Sequence, residues 1–329
     1  MTGVVASDGG LRAMARSIRR TARRARSRLR RASVVLLYHR VADGFPDPWS
    51  LCVSPANFRE QMLVLLGRDV VTLDTLAGEV VAGRRHRSVV VTFDDGYADF
   101  EAAAMPILRE LELPATLFVT TSGLDGDAEF WWDELERIVL ASPSIRDTLF
   151  LEIGGMPFSW SCETDGDRHA LYLAIHRRIG RLPGAERQRT LGELRTWAGV
   201  DARSRPTHRP LSPSELAAVA RDGLVRVGAH TVSHSYLGGL ASDEQAREVR
   251  ASKERLEVIV GAPVEHFSYP HGDHTPDTIA LVRAAGFRVA CGSACKPVTA
   301  RADVLDLPRV EVPNLPGEEF ARWLDEWVR

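Results

Sequence analysis

Val89-Val90-Val91-Thr92-Phe93-Asp94-Asp95-Gly96-Tyr97 is the stretch on which the reading of this chain turns. Five consecutive β-branched or aromatic residues, with no polar alternation, mark a strand buried on both faces, as in a parallel sheet covered by helices. The run stops at two carboxylates. The C-terminal end of a parallel strand is where α/β sheets and barrels place their chemistry. Adjacent aspartates repel each other unless a cation or a shared proton relieves them. An Asp-Gly turn with one aspartate capping the next helix accounts for the same residues, so this segment alone leaves both readings open.

Working outward, similar buried runs occur at residues 34–38, 70–73, 115–120, 224–229, 264–269 and 287–291. Helical patterns separate them at 55–66, 102–110, 242–260 and 276–285, with Pro55 and Pro276 suited to first turns and Gly67 and Gly286 to helix ends. Strands alternating with helices predict an α/β fold with a parallel sheet, open or closed into a barrel. Residues 125–210 interrupt the alternation and hold helix-like segments at 131–140, 168–179 and 185–197, so they read as a mainly helical insertion. Near the C-terminus Phe320, Trp323, Leu324 and Trp327 share one helical face, a stripe that suits core packing.

Composition bounds the class. Of 329 residues 44% are apolar and 26% charged, which fits a globular protein with a sizeable core. A net charge of −2 argues against nucleic acid as a partner. Arginines crowd residues 12–31, so a basic arm (1–31) is expected to precede a catalytic unit (32–329). Within the arm Leu11, Met14, Ile18, Ala22, Ala25 and Leu29 form only a thin apolar stripe. A solvated arm is the first reading, and peripheral docking on anionic membrane the alternative. The four cysteines form no CxxC pair and read as reduced thiols. No apolar run approaches the ~20 residues of a membrane span, and no signal-peptide pattern is visible, so a cytoplasmic location is expected.

A second strand, 224–229, delivers His230-Thr231-Val232-Ser233-His234. Histidines four apart can face one point from a helical turn, and two imidazoles with a carboxylate suit Zn²⁺ or a similar ion with positions left open. HxxxH alone is a weak signal; joined to a double aspartate after another strand it is far more specific. A third strand ends at Ser268-Tyr269-Pro270-His271-Gly272. There proline and glycine shape a turn whose N–H groups could face an oxyanion, or simply an ordinary strand-to-helix turn.

These segments resemble the three motifs of the polysaccharide deacetylase family, carbohydrate esterase family 4. Residues 92–96 match the first motif, residues 230–234 the second, and residues 268–272 part of the third, over roughly 33–124 and 211–312. The resemblance implies a distorted (β/α) barrel with about seven parallel strands and removal of N-acetyl groups from an N-acetylated hexosamine. The substrate would be a glycan or a glycan precursor, lipid-linked or nucleotide-linked. By the same resemblance Asp94 is the general base and Asp95, His230 and His234 hold one divalent ion, Zn²⁺ ahead of Co²⁺, Ni²⁺ or Mn²⁺. Water deprotonated toward Asp94 would attack the acetamide carbonyl, with the oxyanion held by the metal and the backbone near His271. Tyr269, Pro270 and His271 are the expected oxyanion and substrate contacts.

Two departures matter. The family's arginine at the start of the third motif, which pairs with the base, is Ser268 here, and Arg309 is the replacement suggested by its charge. The late Leu-x-His that supplies the acid is missing, since no histidine follows His274. His39, at the end of the first strand in a Tyr-His segment similar to that of poly-N-acetylglucosamine deacetylases, is the expected acid; a structural histidine bonded to a carbonyl is the alternative. Trp131 and Trp132 are candidates for stacking on sugar, although such a pair more commonly packs an insertion onto a barrel, and Trp49 is a comparable candidate. Competing functions are hydrolysis of a cyclic imide or formamide on the same fold, and a silent carbohydrate-binding protein. The intact set of Asp94, Asp95, His230 and His234 argues against the latter.

Overall fold

The computed structural model describes residues 32–328 apart from 45–46, 85–86, 127 and 143–145, so the arginine-rich arm lies outside the described residues. Seven parallel strands form the central sheet: β1 (Val34–Tyr38), β2 (Val89–Phe93), β3 (Ala115–Val119), β4 (Val225–Ala229), β5 (His266–Ser268), β6 (Val289–Cys291) and β7 (Val310–Glu311). Their order in space is β6-β5-β4-β3-β2-β1-β7. The sheet curls until one segment joins its two edges. Leu307 N donates to Ala290 O and Gly292 N to Leu307 O, both at 2.9 Å, while Val310 pairs with Leu36 of β1. The result is the distorted (β/α) barrel. Among the described residues no helix is long and apolar enough to cross a membrane.

Alternating strand residues serve two different cores. Val34, Leu36, Val89, Val91 and Phe93 pack outward with Phe58, Met62 and Leu65 of the helix Pro55–Leu65 and with Met105 and Leu108. Val35, Val90, Phe118, Val289, Cys291 and Leu307 form a separate inner cluster with Leu73, Leu76, Ala77 and Val80. Those last four lie on the helix Leu73–Val81, which covers the N-terminal mouth of the barrel. Its Asp74 lies 2.9 Å from Nε2 of His266, at the start of β5.

Several expectations are corrected. Residues 70–73 are not a strand: Val70 makes one bridge to Val89, and Thr72 instead caps the helix, its side chain accepting from Thr75 N. A cap followed by apolar residues at positions 73, 76, 77 and 80 is a helical signal. The helix Pro213–Asp222, opened by a Ser212/Glu215 capping box, was not expected, nor was the two-residue β7. Residues 102–110 are a π-helical turn, Phe100–Ala104, running into the helix Met105–Glu110. The insertion contains the helices Asp165–Ile179 and Gly184–Ala198 but also a β-hairpin, Thr148–Ile153 with Met156–Ser161. Gly154 and Gly155 supply the two positive φ angles of its turn. Its buried Leu149, Leu151 and Ile153 join Trp131, Leu171 and Leu191 in a core belonging to the insertion.

Gly228 is required by close packing inside the barrel. A Cβ there would lie 2.5 Å from Cδ1 of Phe118 and 3.0 Å from the carbonyl of His266. Phe118 is fully buried and cannot swing aside, and overpacking of this kind costs about 1–3 kcal/mol. Gly228→Ala should therefore lower unfolding stability by that amount in denaturant titrations; an unchanged midpoint would contradict this packing.

Candidate active site

Strand register brings the chemistry to one place. Tyr38 pairs with Phe93, Val119 with Ala229, and Cys291 with Ser268. The next residues out, His39, Asp94, His230 and Tyr269, therefore leave the barrel at the same end. Asp94 N donates to Tyr38 O and His230 N to Val119 O, each at 3.0 Å, so the ladder extends into the site. Because side chains alternate along a strand, His39, Asp94 and His230 fall on the inward face. All three line a cavity of about 230 Å³ at the barrel mouth.

Asp95, His230 and His234 are brought together, with one candidate ligand atom from each lying within 4.8 Å of the others. Asp95 Oδ1 is 3.6 Å from His230 Nε2 and 3.4 Å from His234 Nε2. The histidines do not share a helical turn, contrary to the spacing argument. They sit on an irregular loop in which Thr231 (φ 65°) and His234 (φ 53°) adopt left-handed conformations. His230 Nδ1 lies 2.8 Å from Ser268 O, which fixes the tautomer and leaves Nε2 as a free donor of its lone pair. Asp95 Oδ1 is buried with no hydrogen-bond partner.

The electrostatics agree with this geometry. Burial, reinforced by the charge of Asp94, pushes Asp95 well above the usual carboxylate range. Burial lowers both His230 and His234. An unpartnered carboxylate oxygen facing two neutral imidazoles is a donor set that fits a divalent cation, which would supply the missing positive charge. The loop is held from outside by Glu248. Its Oε2 accepts from Val232 N (2.9 Å) and Ser233 N (2.8 Å), and its Oε1 from the Ser233 hydroxyl (2.7 Å). From the insertion, Arg187 donates to Ser233 O and to Ser235 Oγ, both at 2.6 Å.

Asp94, 3% exposed, forms a two-point ion pair with Arg309: Nη1 to Oδ1 at 2.7 Å and Nη2 to Oδ2 at 2.6 Å. The remaining donors of Arg309 go to Gly292 O (2.9 Å), Thr92 Oγ1 (3.3 Å) and Ser268 Oγ (2.7 Å). All five N–H groups of the guanidinium are thus engaged. Arg309, nominated by its charge as the replacement for the arginine that pairs with the base, does pair with Asp94, and with no donor left it does not serve as an oxyanion or substrate contact. Burial alone would raise Asp94, but the charge and hydrogen bonds of Arg309 outweigh it and hold the carboxyl well below its ordinary range. Ser268, which occupies the place of the family's arginine, bridges the pair by donating to Asp94 Oδ2 at 3.2 Å.

The other expected residues divide. His39 lines the cavity, its Nδ1 is buried without a partner, and burial lowers it to about 4 although the charge of Asp94 pulls the other way. His271 also lines the cavity, in a left-handed conformation (φ 57°), with its ring stacked on Tyr236 at 3.8 Å between centroids. The next residue, Gly272, must be glycine, since a Cβ would fall 2.0 Å from Ser293 Oγ. Tyr269 borders the cavity, but its ring packs in the outer core against Phe267 and its hydroxyl is committed to Leu305 O at 2.8 Å. Pro270 is buried in the short turn Pro270–Gly272 and does not reach the cavity.

The tryptophan pair separates in the same way. Trp132 reaches the cavity, stacks near His234 at 4.4 Å and donates to the Tyr97 hydroxyl at 2.6 Å. Trp131 does not reach it; its indole is buried in the insertion core, with Arg187 over the ring at 4.8 Å, which corrects its candidacy as a sugar platform. Sequence reasoning missed Arg187, Glu248, His176 and Tyr236. No strand end or motif flags Arg187, Glu248 and His176, which the insertion and the helix Ser242–Val260 bring to the site only through the tertiary fold, while Tyr236 follows the paired histidines on their own loop.

Comparison with known proteins identifies the family. A family model described as polysaccharide deacetylase matches residues 82–145 and 186–290, about half the chain, and the gap falls within the insertion. His39 and Arg309 lie outside the matched segments. YxkH of Bacillus subtilis (strain 168), which carries the name of a polysaccharide deacetylase, is 20% identical over 298 residues, covering 88% of this chain and 75% of that one. Among solved structures, the deacetylase PplD of Streptococcus pyogenes in complex with acetate has a TM-score of 0.58 at 16% identity, covering 88% of this chain and 97% of its own. IcaB from Ammonifex degensii has a TM-score of 0.53 at 20% identity, covering 89% and 97%. At these identities the two structures establish a shared fold. With the family model spanning both the double aspartate and the paired histidines, this chain belongs to the polysaccharide deacetylase family.

Proposed function

We propose that the protein is a metal-dependent N-deacetylase acting on an N-acetylhexosamine of a glycan or glycan precursor. The observation that carries this reading is the unpartnered Asp95 oxygen facing His230 and His234, beside a second carboxylate that Arg309 holds ionised. A divalent ion held by Asp95, His230 and His234 would polarise the acetamide carbonyl and make water nucleophilic at neutral pH.

Asp94 is the proposed base. Arg309 fixes both of its oxygens and keeps the carboxyl deprotonated, so it stands ready to accept the proton of an attacking water. The turn at His271, propped open by Gly272, would present backbone N–H groups to the developing oxyanion. Departure of an amine needs a proton, and His39 is proposed to deliver it. Burial keeps the resting imidazole neutral. Negative charge developing in the cavity would favour its protonated form at the step where the amine needs a donor.

Three outcomes are expected. Asp94→Asn should retain the metal and lose ~10²–10⁴ in turnover, as general-base removal does, whereas His230→Ala and His234→Ala should lose the metal itself. Elemental analysis beside an acetate-release assay separates these, and loss of metal in Asp94→Asn would make Asp94 a ligand instead. Activity that survives thorough chelation would overturn metal dependence.

His39→Ala should fold, keep metal and lose amide hydrolysis, while losing much less against a nitrophenyl acetate, whose leaving group needs no proton. Equal losses on both substrates would give His39 a positioning role only.

The third outcome follows from the sign of the Asp94 shift. Its folded pKa is depressed by Arg309, so the ion pair is intact above the ordinary carboxylate range and is lost only as pH falls through the depressed value. Arg309→Met removes that support, and burial then raises Asp94. The acid limb of the kcat/KM profile should move to higher pH; an unmoved limb would show that Arg309 does not set the charge of the base.

A further inference from the structure

The insertion brings to the cavity a histidine that belongs to none of the three motifs. His176, near the end of the helix Asp165–Ile179, lines the cavity and is 5% exposed. Its ring is wedged among others, with centroids 4.9 Å from Trp49, 4.7 Å from Trp131 and 5.8 Å from His271. The wedge is rigid. Trp49 Nε1 donates to the Tyr172 hydroxyl at 2.7 Å, one helical turn away on the same insertion helix. On the far side Tyr236 N donates to Gly180 O at 3.2 Å, tying the end of that helix to the loop that carries His234.

Nδ1 of His176 is buried and has no hydrogen-bond partner. Buried polar atoms are rarely left so, and a core histidine would ordinarily have found a carbonyl. Nδ1 has no surface that a ligand could touch, so the nitrogen left for a molecule in the cavity is Nε2, which has no hydrogen-bond partner and is not among the buried atoms. Burial, with the charges of Arg187 and Arg177, lowers the imidazole to about 4. A neutral ring presents either a donor or an acceptor at Nε2, and a hydroxyl can meet either. Position fits as well. His176 and the candidate ligand His234 both lie against His271, with ring centroids 5.8 Å and 4.5 Å from it. Those two contacts keep His176 within reach of a sugar held at the candidate metal ligands. The guanidinium that lines the cavity, that of Arg309, is fully engaged, so the wall suits an uncharged ring.

We propose that His176 is a substrate-binding residue, hydrogen-bonding a ring hydroxyl of a neutral N-acetylhexosamine while Trp49 covers the apolar face of the same ring. This rests on the deacetylase reading above, and it makes the insertion, rather than the barrel, the element that selects the sugar.

The test uses the full chain, zinc-loaded, in the Asp94→Asn background, so that ligand is bound without turnover. Calorimetric titration with β-1,4- and β-1,6-linked N-acetylglucosamine trimers gives Kd for this parent and for added His176→Phe and His176→Gln. The Phe variant should weaken binding about tenfold or more, equivalent to about 1.4 kcal/mol, and Gln, which can still hydrogen-bond, should recover part of the loss. Zinc content and thermal midpoint should match the parent. Should the Phe variant fail to fold, His176→Asn and His176→Gln carry the comparison. Variants that bind both trimers within twofold of the parent overturn the assignment while leaving the deacetylase reading intact. A parent that binds trimer through His176, in a protein whose wild type releases no acetate from it, retains the binding residue and overturns the deacetylase reading. A parent that binds neither trimer, in a protein whose wild type releases no acetate, overturns both.

Discussion

The buried ion pair between Asp94 and Arg309 is the constraint around which the barrel mouth is organised. Two charges have been taken out of water, which is expensive, and the cost is offset only because the guanidinium fork meets both carboxylate oxygens and its other donors reach Gly292, Thr92 and Ser268. Deleting either partner would leave the other charge stranded, a loss of about 3–5 kcal/mol in comparable sites. Three strands and the closing segment are therefore fastened at one point. That point lies over the fully buried Phe118, whose ring centroid is 5.4 Å from the Arg309 guanidinium.

The same pair resolves the problem posed by two neighbouring aspartates. Adjacent carboxylates of equal environment would compete for one proton. Here the environments are opposite: Asp94 has a cation and its hydrogen bonds, while Asp95 has burial, a like-charged neighbour and an oxygen with no partner. One is depressed and the other raised, so two chemically identical side chains hold their protons very differently. Backbone geometry completes the separation, since Asp95 takes a left-handed conformation (φ 74°) that turns it from the strand direction of Asp94 toward the histidine loop.

The barrel was legible in the sequence because its strands are unbroken β-branched runs and its helices carry plain punctuation. Asp94, Asp95, His230 and His234 were legible because chemistry collects at parallel strand ends. Arg309 could be nominated only by charge, since no local pattern shows that it would sit across the mouth of the barrel from Asp94. β7 is two residues long and carries no periodicity, and the reading of residues 70–73 failed because an N-cap threonine outweighed β-branched neighbours. The hairpin of the insertion was legible in principle, from Gly154-Gly155 between alternating residues. Trp131 misled for a physical reason: a large aromatic beside a site looks like a platform until the side chains around it are known. His176 gave no signal, because its meaning depends on an unpartnered nitrogen that only packing reveals.

The closing segment also fixes an order of assembly. Arg309 stands 215 residues after Asp94, so the contact that orients this carboxylate joins distant parts of the chain. A chain emerging from the ribosome N-terminus first supplies Arg309 well after Asp94. Until then the edges of the sheet stay unjoined and Asp94 has no cation beside it. The aspartate and histidines that would hold a metal are complete some seventy residues earlier. On the nascent chain, then, the three residues proposed to hold an ion are all synthesised before the guanidinium that keeps the neighbouring carboxylate ionised.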